Sequence, residues 1–433
     1  MKTKAYKKLL VIFIALGSWI AGNSQQFPDS LLQYLEISAK NNPTIQQRFT
    51  EYQAALQKVP QVGSLSDPEL SLGVFLKPME LVNGNQAADI RLMQMFPWFG
   101  VLKHARDEMS LMANAKFELF RDAKLQVFYD VQRTWYDLYK VRAEISISEN
   151  NLVILKSIEE LAIVKFKAAP STDGGTSSSG SSGLADLYGF QIEIGELENS
   201  IELLKNQERT LLAQFNSYLD KHPLSPVFTG EDLAADSSGI SLIAVSDSML
   251  AKNPMLSMLE LEKQSYSAQE KKVAGMSYPM VGLGLDYSLI SKSGMSASAM
   301  NGKDMIMPMV TVTLPVYRKK YKAMQAEAEL LGASADQKYK ATVNSLQTEY
   351  YHAVQLYQDA QRRVKLYEKQ YNLASRSLDL ILKSFSASSV ELTEVLRVQQ
   401  QTLDYELKQV EAVADFNTAV AWLKRLMAFS QVQ

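Results

Sequence analysis

The chain has 433 residues, of which 46% are hydrophobic and 21% are charged, with a formal net charge of −2 and no cysteine. The absence of cysteine excludes disulfides, thiolate metal sites and a lipidated N-terminal cysteine. The mildly acidic balance disfavours nucleic-acid binding, and the apolar content is enough for a sizeable core.

Residues 1–24 have the order of a secretory signal peptide. Four lysines precede the apolar run Leu9–Ala21, and small and polar residues follow it. This run is short for a bilayer span, which disfavours the alternative of a transmembrane anchor. We therefore expect the mature chain to begin near Gln25, and removal of the four lysines changes its formal net charge from −2 to −6.

The rest of the chain is predicted to be an internal duplication. The segment "AKNNPTI" around Pro43 precedes Pro68 by the same interval at which "AKNPML" around Pro254 precedes Pro279. The predicted halves are residues 25–230 and 231–433.

Each half contains two segments in which apolar and polar or small residues alternate, the pattern of a strand with one apolar face. The clearest is "YPMVGLGLDYSL" (278–289). Strands are predicted at about 68–77 and 89–96 in the first half, joined by the polar loop "KPMELVNGNQAAD", and at about 279–290 and 305–314 in the second. A proline then stops each strand pair, and a helix follows.

Long antiparallel helical hairpins are predicted after the strands, at about 98–219 and 316–428. In the second half, apolar residues recur at alternating intervals of four and three, a heptad pattern that predicts a coiled coil. A helix from Tyr317 to Phe385 would be roughly 100 Å long. The fold class is thus mostly α with a small β part. The heptad positions are Tyr339, Val343, Leu346, Tyr350, Ala353, Tyr357, Ala360, Val364, Tyr367, Tyr371, Ala374, Leu378, Ile381 and Phe385.

Two interpretations compete at this point: a plain structural coiled coil and a membrane pore. A filament-like protein has no need of strands, and four strands do not close a barrel, since about eight are the smallest number that encloses an interior. An open sheet edge in lipid leaves backbone groups unpaired, so other copies must complete the sheet. The pattern therefore favours one sector of an oligomeric barrel, with lipid on the apolar face and a lumen on the polar face.

The duplicated halves, the proline at the end of each strand pair and the segment "SLDLILKSFSASSVELTEVLRVQQQ" resemble the TolC-like outer-membrane efflux proteins. The resemblance implies a homotrimer with a 12-stranded barrel in the outer membrane and an α-helical tunnel across the periplasm. It also implies a periplasmic adaptor protein and an inner-membrane pump of the RND type as partners. The implied function is an exit duct with no enzymatic activity and no cofactor; the alternative is the outer-membrane component of a type I protein secretion system.

The same resemblance implies a narrow entrance at the tips of the hairpins. Matched to the family pattern, Glu394 retains the acidic residue, Arg397 follows it, Phe385 stands where a tyrosine often occurs, and Asp186 is the counterpart in the first half. Three copies of Glu394 around an axis would attract cations. The alternative is a solvated Glu–Arg pair on an exposed surface. The Ser/Gly linker "STDGGTSSSGSSG" replaces a tight turn in the first half.

Five methionines share the polar face of the predicted strands. Thioethers are soft ligands that suit Cu(I) or Ag(I), so a lumen lined by them suggests soft metal ions as cargo, beside drugs. The alternative is that methionine only fills irregular space. The isolated His104, His222 and His352 form no metal-spaced cluster, and no catalytic motif was found. The five methionines are Met93, Met95, Met305, Met307 and Met309.

Overall fold

The computed structural model describes residues 31–168, 179–230, 233–236, 242–387 and 390–429. The predicted signal peptide and most of the Ser/Gly linker lie outside this part of the chain. Within the described residues, eight α-helices and four β-strands are present, so the predicted fold class, mostly α with a small sheet, is confirmed.

The elements follow one another in the same order in both halves of the chain: two helices, two strands, a very long helix and a return helix. The two longest helices, α3 and α7, would each extend for roughly 100 Å. The first half consists of α1 (Leu31–Asn41), α2 (Pro43–Gly63), β1 (Glu69–Leu81), β2 (Gly84–Phe96), α3 (Val101–Ala168) and α4 (Ser179–Tyr218). The second half consists of α5 (Leu242–Lys252), α6 (Pro254–Met276), β3 (Met280–Ser291), β4 (Met305–Thr313), α7 (Arg318–Ser386) and α8 (Leu392–Leu426).

The two Asn-Pro pairs in the sequence start equivalent helices. The side chain of Asn42 accepts hydrogen bonds from two backbone N–H groups in the first turn of α2, and that of Asn253 does the same for α6. Pro43 and Pro254 occupy the first helical position, where a missing N–H costs nothing. These caps explain why a short helix stops and a second helix starts at the same place in each half.

The four strands form one antiparallel sheet in the order β1-β2-β3-β4. Pairing of β2 with β3 joins the two halves of the chain. The polar loop expected over residues 77–89 is mostly strand: β1 continues to Leu81, and only Val82 and Asn83 separate it from β2. Gly84 closes this tight turn with a φ of +123°, a conformation that favours glycine.

The helices pack beside one another as a layer. α3 contacts α2, α4, α6 and α8, and α7 contacts α6 and α8. Along α7, every heptad position is buried or half-buried, and the cluster that Leu346 and Ala353 form with Leu423 and Leu426 of α8 shows the two helices packed as an antiparallel pair. The predicted heptad pattern therefore marks the packed face of α7. No helix among the described residues combines the length and the apolar character needed to cross a membrane.

Candidate functional site

The register of the sheet assigns one set of side chains to each face. Leu70, Leu92, Leu285 and Pro308 lie in one row across the four strands, on the apolar face. The row beside it contains Ser71, Arg91, Asp286 and Met307, on the polar face. Because side chains alternate along a strand, the sheet has one apolar face and one mixed polar face.

The apolar face is uncovered in the single chain. Leu76 is 98% exposed, Val310 is 70% exposed and Leu72 is 67% exposed. The outer edges of β1 and β4 also have no partner strand among the described residues. Soluble monomers rarely expose an apolar patch of this kind, so this sheet is complete only when another phase or another chain covers it.

The polar face contains a buried carboxylate held by an arginine. The Nε atom of Arg91 donates to Oδ2 of Asp286 at 3.0 Å, and a second guanidinium nitrogen lies 2.9 Å from the same oxygen. Asp286 is only 5% exposed. The pair joins β2 to β3, and therefore the first half of the chain to the second.

All five singled-out methionines lie on this polar face. Met93 pairs with Gly284, which pairs with Met309, while Met95 pairs with Gly282. A Cβ atom built on Gly282 would contact the sulfur atoms of both Met93 and Met95. The two glycines therefore leave room for the thioethers to converge over β3. Met305 and Met307 extend the same face further along β4, opposite Ser288 and Asp286.

At the hairpin tip of the second half, Glu394 and Arg397 form a two-point ion pair. The Arg397 Nε atom donates to Oε2 at 2.9 Å, and a terminal guanidinium nitrogen donates to Oε1 at 2.6 Å. These hydrogen bonds hold the pKa of Glu394 below its usual range and raise the pKa of Arg397. Both side chains are substantially solvent-exposed, so the pair is available to ions but contributes little to stability.

Phe385 does not project beside this pair. Its ring is buried, 7% exposed, in a cluster with Leu155 of α3, Phe190 and Ile194 of α4, and Val395 of α8. The cluster joins the tips of the two hairpins, so Phe385 positions the tip rather than lining it. Asp186 lies in α4, and its side chain is outside the described part of the structure.

A buried polar contact supports the same junction. Gln399 of α8 donates to Oδ1 of Asn151 in α3 at 2.5 Å, and the residues are 2% and 5% exposed. The Oε1 atom of Gln399 has no hydrogen-bond partner within the described residues. Glu406, near Asn151, has a raised pKa because it is partly buried. The Gln399–Asn151 hydrogen bond therefore connects the two hairpins, and the Oε1 atom of Gln399 could accept a further hydrogen bond.

A crossing segment (residues 222–230 and 233–236) marks one face of the helix layer. Trp135 donates to the carbonyl of Phe228 at 3.2 Å, and the backbone N–H of Leu233 donates to the hydroxyl of Tyr139 at 3.0 Å. Further along, Lys424 of α8 binds Asp236 at 2.8 Å. The segment thus runs from α3 to α8 over one face of the layer.

The opposite face has a groove of about 680 Å³ between α3, α7 and α8, lined in part by charged residues. On α3, Arg133 and Asp137 each precede by two positions a residue that contacts the crossing segment, Trp135 or Tyr139. Because two positions on a helix correspond to nearly opposite directions, Arg133 and Asp137 lie on the opposite face of the layer. Burial raises the pKa of Asp137. Across the groove Arg363 of α7 donates to Asp415 of α8 at 2.8 Å.

The groove was not found from the sequence. A signal was present in α3, where polar residues recur at intervals of three and four and so share a face. The other walls come from distant helices, which a local pattern does not identify. The α3 stripe consists of Tyr129, Arg133, Asp137, Lys140 and Glu144.

None of the three histidines forms a metal-spaced cluster with other described residues. His352 makes an edge-to-face contact with Trp422, with ring centroids 5.2 Å apart. His104 lies 3.8 Å from Asp107 on the same helix, and the ring of His222 accepts a local hydrogen bond from the backbone N–H of Leu224. Each described histidine thus contacts a single neighbour, local in the sequence for His104 and His222 and on the neighbouring helix for His352.

No family model matches this sequence, and no curated protein sequence is similar to it. Solved structures with the same fold were found. CusC superposes with a TM-score of 0.74 at 14% identity, covering 93% of this chain and 92% of CusC. The outer membrane protein VceC from Vibrio cholerae gives 0.67 at 15%, covering 92% and 97%. The MtrE outer membrane channel from Neisseria gonorrhoeae gives 0.70 at 13%, covering 92% and 89%. The expected resemblance in fold to outer-membrane efflux channels is confirmed.

Proposed function

We propose that this chain is an outer-membrane exit duct of a tripartite efflux system, a passive channel from the periplasm to the exterior. The observation that carries the proposal is the exposed apolar face of the sheet, backed by a polar face with a buried ion pair. Lipid is the environment that such an apolar face requires. The fold shared with outer-membrane channels supports the same location.

The open edges of the sheet require closure by further copies. Unpaired backbone groups in hydrocarbon cost several kcal/mol each, so β4 of one copy must pair with β1 of the next. Three copies of the four-stranded sheet give twelve strands, more than the eight or so that enclose an interior. Two copies would give only eight strands, whose interior side chains fill, so an open duct needs more copies, and we assign the functional unit as a homotrimer.

The helical hairpins form the periplasmic tunnel in this assignment. The crossing segment would narrow the bore if it lay inside, so it belongs to the outer surface of the tunnel. The groove face, with Arg133, Asp137, Arg363 and Asp415, then becomes the inner wall. A periplasmic adaptor protein and an inner-membrane pump of the RND type are the partners that deliver cargo to the tips of the hairpins.

The Glu394–Arg397 pair is assigned to the constriction at those tips. Three carboxylates brought near a common axis create a negative potential that favours cations, and each Arg397 offsets part of it. Phe385 sets the position of the pair through the cluster beneath it. Asp186 is assigned to the equivalent tip of the first half.

Soft monovalent metal ions are a cargo class that the methionines on the polar face would suit, since thioethers bind Cu(I) and Ag(I). Drugs are the other cargo class. A role in type I protein secretion uses the same duct and remains the second assignment for the same fold. A structural periplasmic coiled coil is the third, and the exposed apolar sheet opposes it.

Two neighbouring positions on β4 test the membrane assignment. Val310 lies on the apolar face and Thr311 on the polar face, and both are exposed. We expect Val310→Lys to prevent insertion, because lysine on a lipid face costs about 2–4 kcal/mol near the bilayer centre, while Thr311→Lys is tolerated. The measurements are the oligomeric mass of purified protein and single-channel conductance in planar bilayers. A wild-type protein that neither enters membranes nor conducts would overturn the proposal.

A further inference from the structure

One end of the sheet presents an aromatic cluster at the point where strands meet helices. Phe99 is 91% exposed and Tyr317 is 80% exposed. Trp98 stacks on Tyr278, with ring centroids 5.1 Å apart and an angle of 16° between the planes. The rings of Trp98, Tyr278 and Tyr317 carry a polar N–H or O–H group, which suits them energetically to the headgroup region of a bilayer. The aromatic cluster consists of Trp98, Phe99, Tyr278 and Tyr317.

A basic cluster follows the aromatic cluster in the chain. Its four cations lie within five consecutive residues directly after Tyr317, and all four residues are exposed. None of them forms an ion pair within the described part of the chain; one ammonium group, that of Lys320, lies 5.8 Å from the ring centroid of Tyr321. No acidic residue occurs between Pro315 and Glu327. The basic cluster consists of Arg318, Lys319, Lys320 and Lys322.

The positive charge of the basic cluster indicates which kind of partner this surface binds. Four cations that are adjacent in the sequence and form no ion pair among the described residues repel one another, and an anionic surface would relieve that repulsion. Because the four cations directly follow the apolar strand β4, they lie at the depth of the lipid phosphate groups. The corresponding segment after β2 is different, since Lys103 and Arg106 are followed directly by Asp107 and Glu108. The excess of positive charge is therefore specific to the start of α7.

We propose that the aromatic and basic clusters together form a binding surface for anionic phospholipids of the membrane leaflet on the helical side. The rings are placed at the headgroup depth, and the four cations bind lipid phosphates beside them. Each cation near the surface raises the affinity for anionic lipid about fivefold, and this increase is smaller where salt screens the charges. This inference rests on the proposed membrane function and adds a lipid preference to it.

Trp98 provides a local probe of the lipid at this surface. Trp135 is buried and Trp422 is half-buried, both within the helix layer, so a quencher carried by lipid chains reports on Trp98. The full mature chain is reconstituted in phosphatidylcholine vesicles that contain brominated phosphatidylglycerol or, at the same fraction, brominated phosphatidylcholine. Trp98→Phe identifies the share of the quenching that comes from Trp98.

We expect the phosphatidylglycerol quencher to be at least about fivefold more effective per lipid for the wild type, and the preference to weaken as salt is added. The variant R318Q/K319Q/K320Q/K322Q should quench equally with both lipids. A charge-matched control is K365Q/K369Q/R376Q/K383Q, four exposed cations on the same helix about 60 Å or more away, which should keep the preference.

Each result has one meaning. Equal quenching of the wild type by both lipids would overturn the lipid preference while leaving the duct intact. A preference that survives in R318Q/K319Q/K320Q/K322Q would overturn the assignment to the basic cluster. Absence of quenching by either lipid, together with absence of conductance, would instead overturn the proposed membrane function.

Discussion

Arg397 binds both carboxylate oxygens of Glu394, at 2.9 and 2.6 Å, on the exposed surface of the tip of the second hairpin. The two residues are three positions apart on α8, so the helix itself aligns them. The pair places one negative and one positive group at the proposed entrance, and the balance between them determines the local potential.

Changes to the two partners should therefore alter ion selectivity in opposite directions. Glu394→Ala removes the negative group and should reduce the preference for cations, whereas Arg397→Gln leaves the carboxylate unpaired and should increase it. The measurement is the reversal potential of single channels under a salt gradient. Asp404→Ala, which breaks a comparable exposed pair with Lys408 on the same helix, is the matched control. Identical reversal potentials for all four proteins would remove the pair from the constriction.

The same contact should set the pH dependence of selectivity. Because Arg397 holds the pKa of Glu394 below its usual range, the carboxylate remains charged in mild acid. The cation preference is present above the ordinary carboxyl pKa and is lost as pH falls through the lowered pKa. In Arg397→Gln the pKa returns toward its usual value, so the loss should occur at higher pH. A titration of reversal potential that is the same in wild type and variant would contradict this reasoning.

The buried contact between Asn151 and Gln399 should matter for the stability of the junction of the hairpins. Gln399→Leu leaves the buried Oδ1 atom of Asn151 without this donor, which costs about 1–3 kcal/mol. Gln400→Leu changes the exposed neighbouring residue and should stay within about 0.5 kcal/mol of wild type. Thermal unfolding of the detergent-solubilised protein, followed by circular dichroism, compares the two. Equal midpoints for both variants would show that the contact is not stabilising.

The features that could be predicted from the sequence depend on patterns that repeat every few residues. The heptad pattern of α7 depends only on intervals of three and four residues, and it identified the face that packs on α8. Strand alternation likewise assigned Met93 and Met309 to one face, which the register of the sheet reproduces. Local patterns of this kind are set by helix and strand geometry alone.

The features that were missed depend on context. The loop expected before Asp89 is strand because Val82 and Asn83 form a tight hairpin turn that Gly84 closes. Pro78 is tolerated because it lies near a register shift in β1, an edge strand. The position of Phe385 was identified, but its burial against Phe190 depends on contact between two hairpins that are far apart in sequence. The groove beside Arg363 and Asp415 is formed by three helices and has no single local signature.

The methionines on the polar face give the sharpest test of cargo. The sulfur atoms of Met93 and Met95 converge where Gly282 and Gly284 provide space, and leucine substitutions at the five positions would fill a similar volume while removing the soft ligands. If the lumen favours Cu(I) and Ag(I), a strain that depends on this duct should lose copper and silver tolerance when all five methionines (Met93, Met95, Met305, Met307 and Met309) are replaced by leucine.

The matched control for that experiment replaces Met249 and Met258, which are buried in helical clusters away from the sheet. These substitutions should leave metal tolerance unchanged, since neither thioether reaches the polar face of the strands. Drug tolerance measured in parallel shows whether the duct still assembles and conducts. Unchanged metal tolerance in the strand variant, with intact drug tolerance, would mean that the methionines only fill space, and soft metal ions would be removed from the proposed cargo.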